Sequence, residues 1–293
     1  MQTKFPQKYL PYLLLAPSLL VVLIFLIIPS VQSLYLSFFR VSPFGDRLFF
    51  VGLANFQNLF TSADYVSSLL LTLLFTAAVT VLGLTVSLAI AMLVNQRIPG
   101  ISFYRTALIW PYALSPAIAG TIWALLLDPA TGAMSYFISQ FTGEMPNWRT
   151  NGQLALTVVT IAAAWKMLGY NVIFFLAGLQ NIHGEILDAA RIDGARAFKR
   201  FWHVIRPLLS PTTFFLFIMN SLYGFFEVFG LIDVMTQGGP GNATEVLVYK
   251  LYREGFVNLR TGYASAQSIV LFVFVAVLTL LQFRFARSRV FYR

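Results

Sequence analysis

Cysteine is absent from this 293-residue chain, and histidine occurs only twice. The lack of Cys excludes disulfides, thiolate metal sites and iron–sulfur clusters, and two His cannot form a zinc or haem centre by themselves. The HExxH and GxSxG motifs are missing, and no carboxylates are paired at a convincing spacing. We therefore expect no catalytic residue and no metal site in this chain, which is the pattern of a non-enzyme.

A nucleotide site is also missing from the sequence. The P-loop needs Gly immediately before Lys, so that backbone N–H groups and the ammonium surround the phosphates. The five Lys residues instead follow Thr3, Gln7, Trp165, Phe198 and Tyr249. If ATP drives this protein, another polypeptide hydrolyses it, and the chain itself carries no cofactor.

Charged residues are scarce and apolar residues abundant. Charged residues make up 11% of the chain and apolar residues 58%, and the mean hydropathy is +0.75. Soluble domains have about 25% charged and about 45–50% apolar residues. A globule of this length has too little interior to bury so much apolar side chain, so we expect a lipid bilayer as its solvent. The net charge of +9 then needs no nucleic-acid partner, because membrane proteins carry excess Lys and Arg in cytoplasmic loops.

Six segments are long and apolar enough to cross a bilayer, which takes about 20 residues in a helix. They predict an all-α, polytopic protein with a single transmembrane domain over residues 1–293. The first apolar run is too long for a signal peptide, so we expect an uncleaved span. The predicted spans are 11–37, 67–95, 104–127, 153–178, 208–232 and 264–284.

The basic residues predict the orientation. With six spans, both termini lie on the same side as the loops after spans two and four. That side holds thirteen of the twenty Lys and Arg residues, and the opposite side holds six. The excess places both termini in the cytoplasm. The remaining basic residue, Lys166, falls inside the fourth span.

The loop at 181–207 carries most of the motif information. Its first part mixes acidic and basic residues, as a helix outside the membrane does. Gly194 is the usual type of residue just past a helix end, and Pro207 suits the start of the next span. From these residues alone, the loop is either a charged connector or a docking element for a cytoplasmic partner.

The loop resembles the signature of the membrane subunits of binding-protein-dependent ABC importers. That signature runs Glu-Ala-Ala, three residues, Gly, nine residues and Ile-x-Leu-Pro, and here Asp188-Ala189-Ala190, Gly194 and Val204-Ile205-Arg206-Pro207 match its spacing. Three residues depart from it: Asp188, Val204 and Arg206. The resemblance implies a type I ABC importer permease fold with a coupling helix from about residue 185 to 195 in the cleft of an ATPase. The implied coupling residues are Glu185, Ile186, Leu187, Asp188, Ala189, Ala190, Arg191, Ile192, Asp193, Gly194, Ala195 and Pro207.

Other segments are similar to the sugar and glycerol-3-phosphate branch of this family. They are FVGLANFQNLF at 50–60, WPYALSPAIAG at 110–120, GGPGNAT at 238–244, VYKLYREGF at 248–256 and GYASAQS at 262–268. The resemblance implies import of sn-glycerol-3-phosphate or a related polyol phosphate, with a neutral sugar or polyol as the alternative. It implies a bacterial cytoplasmic (inner) membrane protein whose partners are a second homologous permease, two ABC ATPase subunits that bind ATP and Mg, and an extracytoplasmic solute-binding protein.

Polar residues inside two spans are candidates for the solute pathway. Lys166 lies near the bilayer centre, where a charge costs about 2.5–3.5 kcal/mol on insertion scales. Glu227 lies roughly 10 Å away in depth, judged from the helical rise, so a direct pair requires tilt or unwinding. A structural ion pair or interfacial snorkelling is the alternative role for either residue. The candidate pathway residues are Lys166, Tyr170, Asn171, Asn220, Tyr223 and Glu227.

Two other classes of function stay open at this level. An ion-coupled secondary transporter would bury more acidic groups near the midplane and often has two inverted halves, and neither feature is evident. An integral membrane enzyme is disfavoured because conspicuous catalytic groups are missing.

Overall fold

The computed structural model describes residues 9–42, 45–96 and 100–286. It divides into two compact units, one from the described residues of 1–63 and 251–273, the other from 64–250 and the described residues after 273. The single-domain organisation stays a prediction. Both chain ends and six of the basic residues used for the orientation lie outside the described residues: Lys4, Lys8, Arg97, Arg287, Arg289 and Arg293.

The described chain is mostly helical. Its α-helices are Leu10–Val22, Ile28–Leu36, Ala54–Thr61, Ala63–Val94, Ile101–Ala113, Pro116–Leu126, Ala133–Thr142, Gly152–Gln180, Gly184–Ile192, Ala197–Arg200, Arg206–Leu208, Ser210–Leu222, Phe229–Met235, Leu247–Tyr252 and Thr261–Ala286. Wider π-helical turns occur at Leu23–Ile27, Phe201–Ile205, Tyr223–Glu227 and Arg253–Val257.

The all-α prediction needs one correction, a short β-hairpin in the first unit. Strands Phe39–Val41 and Leu48–Phe50 pair antiparallel, with Phe39 opposite Phe50. Aromatic and β-branched residues favour strands, and this segment contains several just after an apolar helix. Gly45, at φ +73°, takes up the left-handed backbone that the turn requires.

In the part of the chain that the structure describes, four helices are long and apolar enough to cross a membrane, and the number rises to six if each of two bent helix pairs is one span. The predicted six therefore falls within the range that length and composition allow. The four are Pro11–Leu36, Ala63–Val94, Gly152–Gln180 and Thr261–Arg284. The bent pairs are Phe103–Ala113 with Pro116–Leu126, at 103°, and Ala197–Leu208 with Ser210–Glu227, at 68°.

The first of these bends has a local cause. Leu114 and Ser115 are extended, with ψ of 147° and 153°. Pro116 disfavours a helical residue before it and begins the next helix at a position where its missing N–H costs little. The Ser115 hydroxyl caps that helix by accepting the Ile118 N–H at 3.3 Å.

Close helix contacts in the second unit depend on glycine. A Cβ at Gly169, in helix Gly152–Gln180, would lie 2.6 Å from the Leu108 carbonyl oxygen. A Cβ at Gly120 would lie 3.1 Å from the Leu231 carbonyl oxygen. Small residues at such crossings let helix backbones approach closely in membranes. These contacts hold the two helices of the first bent pair against different helices.

Candidate functional site

The helix Gly184–Ile192 ends at Gly194 through a defined hydrogen-bond pattern. Gly194 has φ +77°, and its N–H donates to the Arg191 carbonyl at 3.0 Å. The Ala195 N–H donates to the Ala190 carbonyl at 2.9 Å. These are the two bonds of a Schellman C-cap. The prediction that Gly194 ends this helix is confirmed, and the last helical residue is Ile192, before the expected end near Ala195.

None of the residues of this helix is buried in the described chain. The Asp188 carboxylate pairs with the Arg191 guanidinium at 2.8 Å, but both side chains are more than 60% exposed, and exposed pairs contribute little to stability. Ile192 is 86% exposed. The predicted coupling residues Glu185 to Ile192 lie on the helix, Asp193 to Ala195 form its C-terminal cap, and Pro207 lies in helix Arg206–Leu208. The loop therefore presents an uncovered amphipathic helix.

The fourth span places Lys166 in an aromatic environment. The side chain is almost fully buried, at 6% exposure of the residue. Its Nζ lies 5.3 Å from the ring centroid of Tyr112 and 5.9 Å from that of Tyr223. A ring face attracts a cation within about 6 Å, so these two rings partly compensate the lost hydration of the ammonium.

Glu227 lies at the end of the π-helical turn Tyr223–Glu227 and is exposed. Its carboxylate acts electrostatically on Lys166, Tyr170 and Tyr223. The ion pairs within 4 Å among the described residues do not include Lys166 with Glu227. The helix is locally widened at Tyr223–Glu227, but the direct pair that tilt or unwinding would have allowed does not form.

Tyr112 belongs to this cluster but was not among the sequence candidates. Its ring lies 5.0 Å from that of Tyr170, which lies 4.8 Å from that of Phe174, and Phe174 lies 5.0 Å from Phe215. A row of aromatic rings thus extends from Lys166 along one face of the fourth span. The available signal was the position of Tyr112 between Pro111 and Pro116, where the helix breaks.

Asn171 and Asn220 contact each other. Each side-chain amide donates to the other's carbonyl, at 3.1 Å and 2.7 Å, and neither residue is exposed. The Asn220 Nδ2 also donates to the Leu216 carbonyl at 2.8 Å. Buried amides that satisfy each other favour a structural role in holding the fourth span to the helix Ser210–Leu222.

A cavity of about 330 Å³ lies near the end of helix Pro116–Leu126. Its lining includes Trp148, Arg149 and Gln237. The Arg149 guanidinium pairs with the Asp128 carboxylate at 2.7 Å. Asp128 also accepts the N–H groups of Ala130 and Thr131 at 2.9 and 3.0 Å. These backbone hydrogen bonds, helped by Arg149, hold the pKa of Asp128 below its ordinary value. Sequence reasoning did not identify this pocket.

Two solved structures share the fold of this chain. The chain superposes on a chain from the structure of a bacterial ABC transporter involved in the import of the acidic polysaccharide alginate, with a TM-score of 0.83, 21% identity and 96% coverage of both chains. A second structure of a bacterial alginate ABC transporter, in complex with an alginate-pentasaccharide-bound periplasmic protein, gives a TM-score of 0.82 at 21% identity, covering 96% of this chain and 95% of that one. The chain therefore shares the fold of these two ABC transporter chains.

The sequence places the chain within a family. Residues 133–290 match the family model described as binding-protein-dependent transport system inner membrane component. The sn-glycerol-3-phosphate transport system permease protein UgpA of Rhizobium meliloti is 46% identical over 98% of both chains. The protein of the same name from Escherichia coli O157:H7 is 43% identical over 99% of this chain and 98% of that one. The chain belongs to the binding-protein-dependent transport system inner membrane component family, as the sequence resemblance indicated.

Proposed function

We propose that the chain is the membrane-spanning, non-catalytic subunit of an ATP-driven importer for sn-glycerol-3-phosphate or a related small polyol phosphate. The uncovered helix Gly184–Ile192 with its glycine cap is the observation that carries the coupling role. The identity of 43–46% to permeases named for sn-glycerol-3-phosphate transport supports the solute class. A neutral sugar or polyol is the second candidate.

ATPase subunits outside this chain move the coupling helix, Gly184–Ile192. Two ATPase subunits bind ATP and Mg and, when they close, carry the helix with them. The exposed face that includes Ile186 and Ala189 suits a groove on such a partner, because helices bind grooves through apolar anchors three or four residues apart. A second homologous permease completes the pathway, and an extracytoplasmic binding protein delivers the solute. Both chain termini lie on the cytoplasmic side in this arrangement.

The proposed pathway centres on Lys166. Its ammonium, held between the rings of Tyr112 and Tyr223 without a carboxylate within 4 Å in the described chain, suits a passing phosphate as counter-charge. Tyr170 and Glu227 lie beside it and can hydrogen-bond polyol hydroxyls. Binding must be weak here, since a tightly held solute would leave slowly.

Two glycine variants test the coupling role. Gly184→Ala and Gly194→Ala each add a methyl group with nothing within 4 Å, and only Gly194 has a positive φ. A left-handed L-residue costs roughly 1–2 kcal/mol, so Gly194→Ala distorts the cap while Gly184→Ala does not. In the reconstituted complex, we expect Gly194→Ala to lower solute uptake per ATP hydrolysed and Gly184→Ala to leave it unchanged. Equal uptake per ATP in both variants contradicts the docking role.

Lys166→Met tests the solute class. It keeps most of the unbranched stem of the side chain and removes its charge, so uptake of sn-glycerol-3-phosphate into proteoliposomes should fall well below that of the unaltered complex. Competition by unlabelled glycerophosphodiesters and disaccharides gives the specificity. Unchanged uptake removes the charge argument, and competition by disaccharides alone favours a neutral solute.

The energy source separates this importer from an ion-coupled carrier. Uptake should require the ATPase subunits and ATP and should survive collapse of the proton gradient. Uptake by the purified chain alone, or uptake that stops with the gradient while ATP is present, contradicts the proposal.

A further inference from the structure

The segment Ala197–Leu208 has an exposed face of mixed aromatic and basic character. Phe198, Trp202 and Arg206 follow one another at four-residue intervals, and Lys199 and His203 lie beside them. All five are exposed, Phe198 at 76% and Trp202 at 41%. The spacing places them on one side of a helical segment.

Contacts within this face join its aromatic and cationic groups. The Arg206 guanidinium lies 4.6 Å from the ring centroid of Trp202. The Trp202 ring lies 6.0 Å from Phe198 and 5.5 Å from Phe201. The cation of Arg206 therefore lies beside an apolar ring cluster instead of an acidic partner.

The segment is strongly positive. Residues 195–208 contain Arg196, Lys199, Arg200 and Arg206 and no Asp or Glu. In residues 9–42, 45–96 and 100–286, none of these four side chains forms an ion pair within 4 Å. The preceding helix differs, because Glu185 and Asp188 outnumber its one basic residue, Arg191. Charge thus divides the loop into a mixed helix and a purely basic one.

The position of the segment beside an apolar helix also favours contact with the membrane surface. It meets Ser210–Glu227, the apolar helix of a bent pair, at 68°, so it turns away from the axis of that span directly at its end. Trp is enriched at membrane–water interfaces, and long basic side chains lay their carbons on apolar surface while the charge reaches the headgroups. A helix of this kind lies along the surface of a bilayer.

We propose that the face formed by Phe198, Lys199, Trp202, His203 and Arg206 binds the headgroups of anionic phospholipids at the membrane surface. The rings enter the interfacial layer, and Lys199 and Arg206 contact lipid phosphates. The face is a lipid anchor that holds the base of the loop, while the helix Gly184–Ile192 remains free for a soluble partner. A protein partner is disfavoured because the cations are unneutralised and the segment adjoins an apolar span.

The absence of Cys allows a direct test. Phe198→Cys, labelled with bimane, keeps every charge of the face and reports lipid contact through quenching by brominated lipid. The full complex is placed in nanodiscs with brominated phosphatidylglycerol or brominated phosphatidylcholine at equal mole fraction. Each basic residue near an anionic surface is worth roughly five-fold in local lipid enrichment at low salt, so we expect clearly stronger quenching by the brominated phosphatidylglycerol.

Charge variants and salt separate a lipid site from simple exposure. Lys199→Gln with Arg206→Gln should strongly reduce the preference for anionic lipid, and Arg191→Gln, which removes one charge from the neighbouring helix, should retain it. High salt should also abolish it without any substitution, because the Debye length falls to about 3 Å at 1 M. Equal quenching by the two lipids, no quenching by either, or protection of the label by the ATPase subunits overturns the proposal. Each result is independent of transport activity.

Discussion

The side-chain amides of Asn171 and Asn220 donate to each other inside the second unit, at 3.1 Å and 2.7 Å. Gly83, in helix Ala63–Val94, lies against the same pair: a Cβ there would be 3.5 Å from the Asn171 Nδ2 and the Asn220 Oδ1. Three helices therefore meet at one satisfied polar contact. In an apolar surrounding, such a contact fixes the relative register of the helices, because any sliding leaves buried amides unpaired.

Asn171→Leu should destabilise the chain. The substitution leaves the Asn220 amide without its partner, and interhelical hydrogen bonds in membrane proteins are worth about 0.6 kcal/mol on average and up to about 1.7 kcal/mol. Thermal unfolding in detergent of the two single variants and the double variant Asn171→Leu/Asn220→Leu gives the coupling energy. The exposed Asn58→Leu serves as a control and should be nearly neutral. Strictly additive single effects contradict a direct contact.

Gly169→Ala should force the helix Gly152–Gln180 away from the helix Ile101–Ala113 and destabilise the chain. Its Cβ would meet backbone atoms, at 2.6 Å from the Leu108 oxygen and 2.8 Å from the Ile109 Cα, and backbone cannot rotate away. Overpacking of this kind costs typically about 1–3 kcal/mol. Gly83→Ala is the matched control, since its added methyl makes only ordinary contacts. Thermal unfolding should show a large loss for the first variant and little for the second. An equal loss in both contradicts the role of close backbone approach.

Sequence reasoning located apolar segments well because hydrophobicity over about 20 residues is a strong, local signal. Gly152–Gln180 was predicted as 153–178, within two residues at each end. The points at which apolar helices bend were harder to predict from the sequence. Proline in a helix causes a bend, but the angle of 103° at Pro116 also depends on contacts of Gly120 and Gly169 with distant parts of the chain. Those contacts are tertiary and leave no periodic pattern.

The candidate site was also predictable from the sequence only in part. Lys166 was found because a charge in an apolar run is conspicuous. Its neighbour Tyr112 was missed, because an aromatic residue in a span is ordinary and only the fold places its ring near the ammonium. Asn171 and Asn220 stand out equally as polar residues in spans, yet sequence cannot reveal that two residues 49 positions apart satisfy each other.

The turn at Asp128 should resist mild acid. Backbone hydrogen bonds from Ala130 and Thr131, with help from Arg149, hold the pKa of Asp128 below the ordinary 3.8. A carboxyl with a lowered pKa contributes stability above its ordinary pKa and loses that contribution as pH falls through the lowered value. Hydrogen-exchange protection of the Ala130 and Thr131 amides should therefore be constant from neutral pH to the ordinary pKa and decline only below it.

Asp128→Asn provides the control for this pH profile. The amide oxygen can still accept the two N–H groups, but the charge attraction to Arg149 is lost. We expect weaker protection at neutral pH and no further decline in acid. If the variant retains the acid-dependent decline, another group titrates and Asp128 does not control the turn.

Lys250→Met should destabilise the chain far more than the loss of an exposed ion pair. Lys250 and Glu245 pair at 3.1 Å with side chains only 5% and 1% exposed. Removing one partner of a buried pair typically costs about 3–5 kcal/mol, because the remaining buried charge loses the attraction of that partner. Thermal unfolding should show this loss for Lys250→Met and much of it recovered in Lys250→Met/Glu245→Gln, which also removes the charge of Glu245. Arg191→Met, which breaks the exposed pair with Asp188, should be nearly neutral. Equal stability of the single and double Lys250 variants would show that the charge of Glu245 is compensated by other groups.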